Sequence, residues 1–515
     1  MDEAQFKGLV VVILNGGCNT GRSMALGYAE RGAKVVVHGP KHVVDITVEE
    51  IRTLGQKATA ASHDQPMEAA LGKYGRIDIV AVVTQPGPKN ENFDEAMERM
   101  VNKTYKSAMD GHGYLAKEGL GTVLIVVDDE SEGVAYTTAR MSLMGVCKSL
   151  ADESKGIKCN CVMTVGKRAE ENAALAALAL SAPSWNQSGC IVEVSNALAQ
   201  QLLHDEDVAY TYSDSLPCVD SVLKTCLPQP ILSVMKDKVA IVTGAGAGLG
   251  LMVARRLVAL GARVVAYESN MMLRDVPELE AVQPNLKRRR SWVETILLKS
   301  EPKEKPKEER HVYINSMDEE EMVKTCISKF GHVDILINCS SVPTIPRRQD
   351  LVPFYFEMAI HHHIKASYRM SQHVWPFMSK QKSGHIVNMI PMDKVRACVL
   401  SLGMSGLSQA LADKGEEANI HVNCAISSAT SLNPNQVAVA LPILLASSAC
   451  PFQGATLDAS SNEVTILDIM PSNPVDFEEV YTVKQLIGDL DCTTLVPPSP
   501  AFAPTLACNV ISLQS

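Results

Sequence analysis

The sequence lacks several things, and each absence narrows what the chain can be. It has no excess of positive charge: 48 Lys and Arg stand against 58 Asp and Glu, a formal net charge of −10. Nucleic acid and anionic membrane surfaces are therefore not expected as its main partners. Its fourteen cysteines show no paired CxxC spacing, only an isolated Cys159-x-Cys161. That scatter suits reduced, buried thiols of an intracellular protein and argues against a disulfide framework. No apolar run approaches the ~20 residues needed to span a bilayer. The opening MDEAQFKG is polar, so no signal peptide is expected, and the closing LQS differs from the serine-lysine-leucine peroxisomal address.

What is present begins with length. A chain of 515 residues, 46% hydrophobic and 21% charged, is expected to hold at least two globular domains. The chain also repeats itself. VVVILNGGCNTGRSMALGYAERGAKVVV near the start recurs as KVAIVTGAGAGLGLMVARRLVALGARVVA, pairing Gly21 with Gly250 and Gly32 with Gly261 at an offset of 229. YGRIDIV recurs as FGHVDIL at an offset of 256, Gly145 pairs with Gly406 at 261, and Asn160 with Asn423 at 263. Ordered matches with one main jump in offset indicate a duplication with an insert in the second copy. That insert, about 284–310, is rich in charge and reads as a solvated loop, with a basic targeting cluster at Lys287–Arg290 as the other reading.

Each copy alternates short Val/Ile-rich runs with helical patterns. Such runs are strands buried on both faces, and their alternation with helices predicts a parallel, doubly wound α/β sheet. Two tandem Rossmann-like domains follow, 1–230 and 231–515, with the join near the LPQPILSV stretch and a Pro-rich extension after about 473. The glycine turns set the copies apart. A turn between the first strand and its helix brings backbone N–H groups to a pyrophosphate. In the second copy Thr243-Gly244-Ala-Gly246-Ala-Gly248-Leu-Gly250 supplies one, after KVAIV and before LMVARRLVALGARVV. Glu268 ends the next strand, where a carboxylate accepts hydrogen bonds from a ribose 2′-hydroxyl and repels a 2′-phosphate. It favours NAD over NADP if it faces the cofactor; a solvated strand-end glutamate is the other reading. In the first copy Asn15-Gly16-Gly17-Cys18-Asn19-Thr20-Gly21 is one residue short, and its strand ends His38-Gly39-Pro40 with no acid. Cofactor binding is not expected there.

The TGxxxGxG spacing is similar to that of short-chain dehydrogenase/reductases. FKG with GRSMALGYAERGAKVVV, Ser62–Asp64, FGHVDILIN and HVWPFMSKQKSGHIVN resemble the tandem dehydrogenase half of the peroxisomal multifunctional enzymes type 2, the fungal hydratase–dehydrogenase–epimerases. The resemblance covers most of both copies. It implies oxidation of (3R)-3-hydroxyacyl-CoA with NAD, an acyl-CoA substrate and a peroxisomal location, a cytoplasmic one remaining the alternative. Family members pair through two helices per subunit, so an internal pseudo-dimer of the two copies, or a homo-oligomer, is implied as well.

The family's chemistry needs a tyrosine acid/base, a lysine four residues on that shares its helix face, and a serine from the preceding strand end. By the resemblance, Tyr136 takes the tyrosine position, Arg140 the lysine position and Asn102 the helix-asparagine position of the first copy. Arginine keeps the charge but not the geometry of lysine. Asp128 and Asp129 stand at the serine position, Ser131 lies too close to Tyr136, and Val82-Val83-Thr84-Gln85 replaces the family's NNAG. In the second copy the tyrosine and lysine positions fall on Ala397 and Ser401, and Ile390 and Pro391 sit where the serine would be. Asn338 survives from NNAG, and His363 falls where the multifunctional enzymes carry histidine. Neither copy holds a complete set, so weak or absent dehydrogenase activity is expected, and a catalytically inactive nucleotide-binding or dimerisation scaffold is the alternative.

Other features read as structural. His361, His362 and His363 point in different directions on a helix and lack a complementary ligand spacing, so no metal is expected. Cys159 and Cys161 share a strand face as buried thiols, and the 22 methionines fill core. Asp128, Asp129 and Glu130 read as a solvated turn.

Overall fold

The computed structural model describes residues 5–61, 65–84, 87–88, 91–128, 131–154, 156–165, 169–195, 198–204, 235–246, 248–267, 311–314, 319–339, 351–391, 398–427, 436–448, 450, 452–459, 465–467, 469–471 and 475–476. Glu268, Asp129, Glu130, Ser62–Asp64, Gln85, Ala397, the insert at 284–310 and the stretch around residue 230 lie outside them.

The apolar runs become strands because each can bury both faces. In the first copy these are β1 (Val10–Leu14), β2 (Lys34–His38), β3 (Ala58–Ala61), β4 (Ile79–Val83), β5 (Gly121–Val127), β6 (Ile157–Thr164), β7 (Ile191–Val194) and β8 (Leu198–His204). All five residues of β1 and of β4 are buried. The helices between them are α1 (Asn19–Glu30), α2 (Lys41–Thr53), α3 (Pro66–Tyr74), α4 (Phe93–Ala96), a π segment Met97–Asn102, α5 (Lys103–Glu118), α6 (Val134–Glu153) and α7 (Glu170–Ser181). The second copy has β9 (Val239–Val242), β10 (Arg263–Tyr267), β11 (His311–Ile314), β12 (Ile335–Asn338), β13 (Gly384–Pro391), β14 (Ile420–Ser427), β15 (Thr456–Asp458) and β16 (Thr465–Leu467). Its helices are α8 (Gly248–Ala259), α9 (Glu319–Phe330), α10 (Pro353–Glu357), a π segment Met358–Lys365, α11 (Ala366–Gln381), α12 (Val399–Gly415) and α13 (Gln436–Leu445).

The first sheet runs β3-β2-β1-β4-β5-β6-β7-β8 and the second β11-β10-β9-β12-β13-β14-β15-β16. The strands are parallel except β8 and β16, which pair antiparallel with β7 and β15. In both sheets the order turns back between the first and fourth strands, the place where this architecture opens a crevice at the carboxyl ends. Two tandem Rossmann-like α/β units therefore stand as the sequence implies.

The repeat reappears in hydrogen bonds. Asp78 accepts from the N–H of Val10 at 2.8 Å, and Asp334 accepts from that of Val239 at 2.8 Å, each carboxylate pinning the first strand of its sheet. A cation attends each: Arg76 pairs with Asp78, and Lys238 with Asp334 at 3.3 Å. Asn160 donates to Leu180 O at 3.0 Å and accepts from Cys190 N–H at 3.0 Å; Asn423 donates to Phe452 O at 3.0 Å and accepts from Ala455 N–H at 3.1 Å. Each asparagine so clamps the loop entering the next strand, satisfying buried backbone groups that no ladder reaches.

By contact density the chain divides into a unit of Met1–Ala209, Ala397–Gly406 and Ile469–Ser515, and a unit of Tyr210–Arg396 and Leu407–Asp468. The first unit thus regains the chain after the second. Two short strands, β17 (Ile469–Pro471) and β18 (Val475–Asp476), pair antiparallel with β8, and β17 is thereby the outer neighbour of that strand. Among the described residues no helix is long and apolar enough to cross a membrane.

Candidate nucleotide and acid/base sites

In the second copy the turn between β9 and α8 is shaped by its glycines. Gly244 and Gly248 hold φ of 59° and 55°, a left-handed backbone that a side chain strains. A Cβ on Gly250 would meet the carbonyl oxygen of Gly244 at 2.4 Å, so the helix start and the turn touch through their backbones. Gly248, by contrast, is exposed, and a Cβ there would meet nothing within 4 Å. The first turn of α8 carries no acid, so nothing there opposes an anion at the helix N-terminus. This cradle fits the pyrophosphate of a dinucleotide: the backbone is free to approach it, and the helix start favours its charge.

Thr243 and Asn338 flank the turn from below. Thr243 Oγ1 donates to Cys339 O at 2.8 Å and accepts from Cys339 N–H at 3.0 Å, which ties β9 to the end of β12. Asn338 Nδ2 donates to Asn388 Oδ1 at 2.9 Å and to Ser367 O at 3.3 Å, and Asn388 Nδ2 donates onward to Ser408 Oγ at 2.8 Å. Both hold the frame of the crevice. Asn338 Oδ1 and His363 Nε2 are buried without a hydrogen-bond partner among the described residues. Burial, aided by the neighbouring His362, pushes the His363 imidazole down to about 3, so it is neutral at physiological pH. Ser401 Oγ accepts from Cys398 N–H at 3.0 Å, a bond of the α12 start.

The corresponding turn in the first copy is tighter. Asn15 takes φ 58°, and its Nδ2 donates to Val83 O at 2.9 Å. Cys18 caps α1, its Sγ accepting from Gly21 N–H at 3.3 Å, so a donor that would face a phosphate is already used. A Cβ on Gly21 would meet Gly16 Cα at 2.6 Å, and one on Gly16 would meet Val37 Cγ1 at 2.7 Å. Burial pushes the Cys18 thiol up to about 11, which leaves it protonated and unreactive. With one residue fewer and its N-terminus capped from within, this loop does not fit a pyrophosphate.

The acid/base positions of the first copy are likewise engaged internally. Tyr136 lies on α6 at 9% exposure, and its hydroxyl donates to Glu91 Oε2 at 3.5 Å. Glu91 is gripped by Arg99, with Nη2 to Oε2 at 2.6 Å and Nε to Oε1 at 2.9 Å. Their side chains are only 4% and 10% exposed. Arg140, one turn beyond Tyr136, turns instead to Glu193 of β7, 3.6 Å away. Asn102 closes the π segment, where its Nδ2 donates to Glu98 Oε2 at 2.5 Å and its Oδ1 is buried without a partner among the described residues. At the strand end, Asp128 N–H donates to Thr84 Oγ1 at 2.9 Å, and Thr164 Oγ1 donates to Asp128 Oδ1 at 3.4 Å.

The structure thus gathers Tyr136 with Glu91 and Arg99, not with Arg140. Sequence reasoning passed over Glu91 and Arg99. They have no counterpart in the repeat, and a glutamate eight residues before an arginine gives no pattern that marks a buried pair. The cysteines Cys159 and Cys161 lie on β6, fully buried, and Cys147 Sγ of α6 is 4.0 Å from Cys159 Sγ. Burial and the neighbouring thiols hold them well above the ordinary thiol range.

Comparison with known proteins places these observations. The family model for short chain dehydrogenase matches residues 312–438. Peroxisomal hydratase-dehydrogenase-epimerase of Neurospora crassa is 24% identical, covering 82% of this chain and 54% of that protein. The chain accordingly spans about half the length of that relative. NAD-dependent glycerol dehydrogenase of Listeria innocua is 30% identical over 195 residues, covering 36% of this chain and 68% of that protein. Among solved structures, the NADP-bound N-domain of a bacterial malonyl-CoA reductase superposes with a TM-score of 0.64 at 13% identity, covering 88% of this chain and 98% of that one. At that identity the likeness concerns the fold.

Proposed function

Because the chain belongs to the short-chain dehydrogenase family, we propose that its second copy binds a nicotinamide dinucleotide while neither copy sustains strong dehydrogenase turnover. One observation carries this reading: Gly244 and Gly248 hold a left-handed backbone where a pyrophosphate needs close approach, with Gly248 facing unfilled space. Gly244, Gly248 and Gly250 would line the phosphates, and Asn338 and Thr243 would hold the strand ends that frame them. The bound nucleotide would supply hydride chemistry. What this chain's own side chains add is less. No tyrosine or lysine stands at the second copy's acid/base positions, and the first copy's Tyr136 donates to a carboxylate that is already ion-paired.

The lineage reading makes the ancestral substrate a (3R)-3-hydroxyacyl-CoA and the cofactor NAD, with Glu268 as the residue that would reject a 2′-phosphate. A scaffold without catalysis is the second reading, favoured by the Arg140–Glu193 pair, which removes the one cation available to Tyr136 by position. By resemblance to its family, the chain would form either an internal pseudo-dimer of its copies or a homo-oligomer, and the mass returned by light scattering would tell the two apart. The peroxisomal relatives support a peroxisomal site of action, which co-localisation with a matrix marker would test.

Calorimetric titration with NADH, followed by 3-ketoacyl-CoA in the same cell, decides between the readings. The expected result is a single site per chain, weaker for NADPH, with turnover low or absent. Gly248→Asp places a like charge at the phosphates and should abolish the heat while leaving the melting of the first unit unchanged. No heat with NADH at millimolar concentration would end the nucleotide reading.

A further inference from the structure

A buried ion pair is costly to desolvate, and apolar residues of similar size are often as stable in its place. The Glu91–Arg99 pair therefore asks for a reason beyond stability. It has the geometry of ligand capture. Two guanidinium nitrogens, Nε and Nη2, grip both carboxylate oxygens at 2.6–3.0 Å, and the carboxylate is also within reach of Tyr136 Oη at 3.5 Å. Both side chains are nine-tenths buried or more. Gly87 closes over them: a Cβ there would meet Arg99 Nη2 at 2.4 Å and Glu91 Oε2 at 2.6 Å. The arginine comes from the π segment Met97–Asn102, a helix distortion that often marks functional positions. A phenol, a bidentate guanidinium and a tight backbone together form a receptor for one planar carboxylate.

We propose that the first copy contains a carboxylate-binding site, built by Arg99 and Tyr136, whose occupant is the chain's own Glu91. Its carboxylate oxygen takes the place beside the tyrosine hydroxyl that a substrate oxygen would take in an active relative. The ligand class is a small carboxylate, and the side chain of Glu91 supplies it from within the chain. This inference does not rest on nucleotide binding by the second copy, and a blank NADH titration leaves it intact.

The test is chemical rescue in the full chain. Glu91→Ala removes the carboxylate that Arg99 grips bidentately and should lower the melting temperature of the first unit by on the order of 10 °C. Added formate or acetate should then recover about half of the loss or more by mass action, while chloride at equal ionic strength does not. The wild-type protein and the Glu91→Ala/Arg99→Met double variant should not respond. A carboxylate effect equal in the variant and the wild type, or none in the variant, overturns the proposal. If Glu91→Ala fails to fold, Glu91→Gln keeps the shape without the charge. It should melt below the wild type and gain nothing from formate, because its amide fills the site. A Gln variant that melts with the wild type overturns the proposal as well.

Discussion

Gly250 and Gly248 serve one loop for opposite reasons, and their substitutions should fail differently. At Gly250 even one added carbon meets the Gly244 carbonyl at 2.4 Å, so Gly250→Ala must push the helix start away from the turn. The expected cost is about 1–3 kcal/mol in the second unit, with loss of any NADH heat. At Gly248 there is room, and the loss in Gly248→Asp should come from charge and φ with the fold kept. Thermal melts of the two variants, compared with their NADH titrations, separate the cases; equal melting temperatures would contradict the contact at Gly250. Gly250 was legible in the sequence because it repeats as Gly21, and Gly248 because it falls in the TGxxxGxG spacing of the second copy. The Glu91–Arg99 and Arg140–Glu193 pairs were not. Each joins residues with no repeat counterpart, and charged side chains are ordinarily expected at the surface. The aspartates of YGRIDIV and FGHVDIL stood in the repeated motifs all along, but only their bonds to Val10 and Val239 give them a role.

At the scale of elements, alternation of apolar strands and helices predicted two parallel, doubly wound sheets, and the strand order came only with the structure. Nor did the alternation show the strap. β17 and β18 come from a Pro-rich stretch with weak strand signals, and their partner β8 lies in the first sheet. Sheet edges are ready templates for pairing, and β17 covers this one. A chain ending at Leu467 should expose β8, lose about 1–3 kcal/mol in the first unit through the missing ladder bonds, and associate at micromolar concentration. Light scattering and calorimetry check both parts; an unchanged melt and a monodisperse truncated chain would show that the strap is dispensable. The π segments were equally hidden, since nothing in the apolar spacing of the sequence marks them off from the helices they adjoin. They recur at matching places, Met97–Asn102 and Met358–Lys365, just before the long helices α5 and α11.

For the molecule as a whole, acid should act first on the second unit. Burial pushes His363 down to about 3, and burial with the nearby His421 and Lys238 pushes His385 down to about 4, Asp334 opposing. In the unfolded chain both return to the ordinary histidine value near 6.5. Below that pH the unfolded state takes up protons that the folded state refuses, so stability falls as the pH drops from about 6.5 toward 4. The limiting slope is about 1.4 kcal/mol per pH unit for each histidine. Thermal melts between pH 7 and 4 should show this trend, flattened in His363→Gln; a second-unit transition that does not move over that range would contradict the buried, neutral imidazoles.

The strap also sets an order for biosynthesis. Ile469 follows its partner His204 by 265 positions, so the first sheet cannot gain its outer strand until the second unit has been translated. At about 5–20 residues per second this takes roughly 15–50 s. During that interval a nascent chain carries an open strand edge outside the ribosome. Holdases and neighbouring nascent chains on the same message compete for that edge before the chain's own segment emerges to close it.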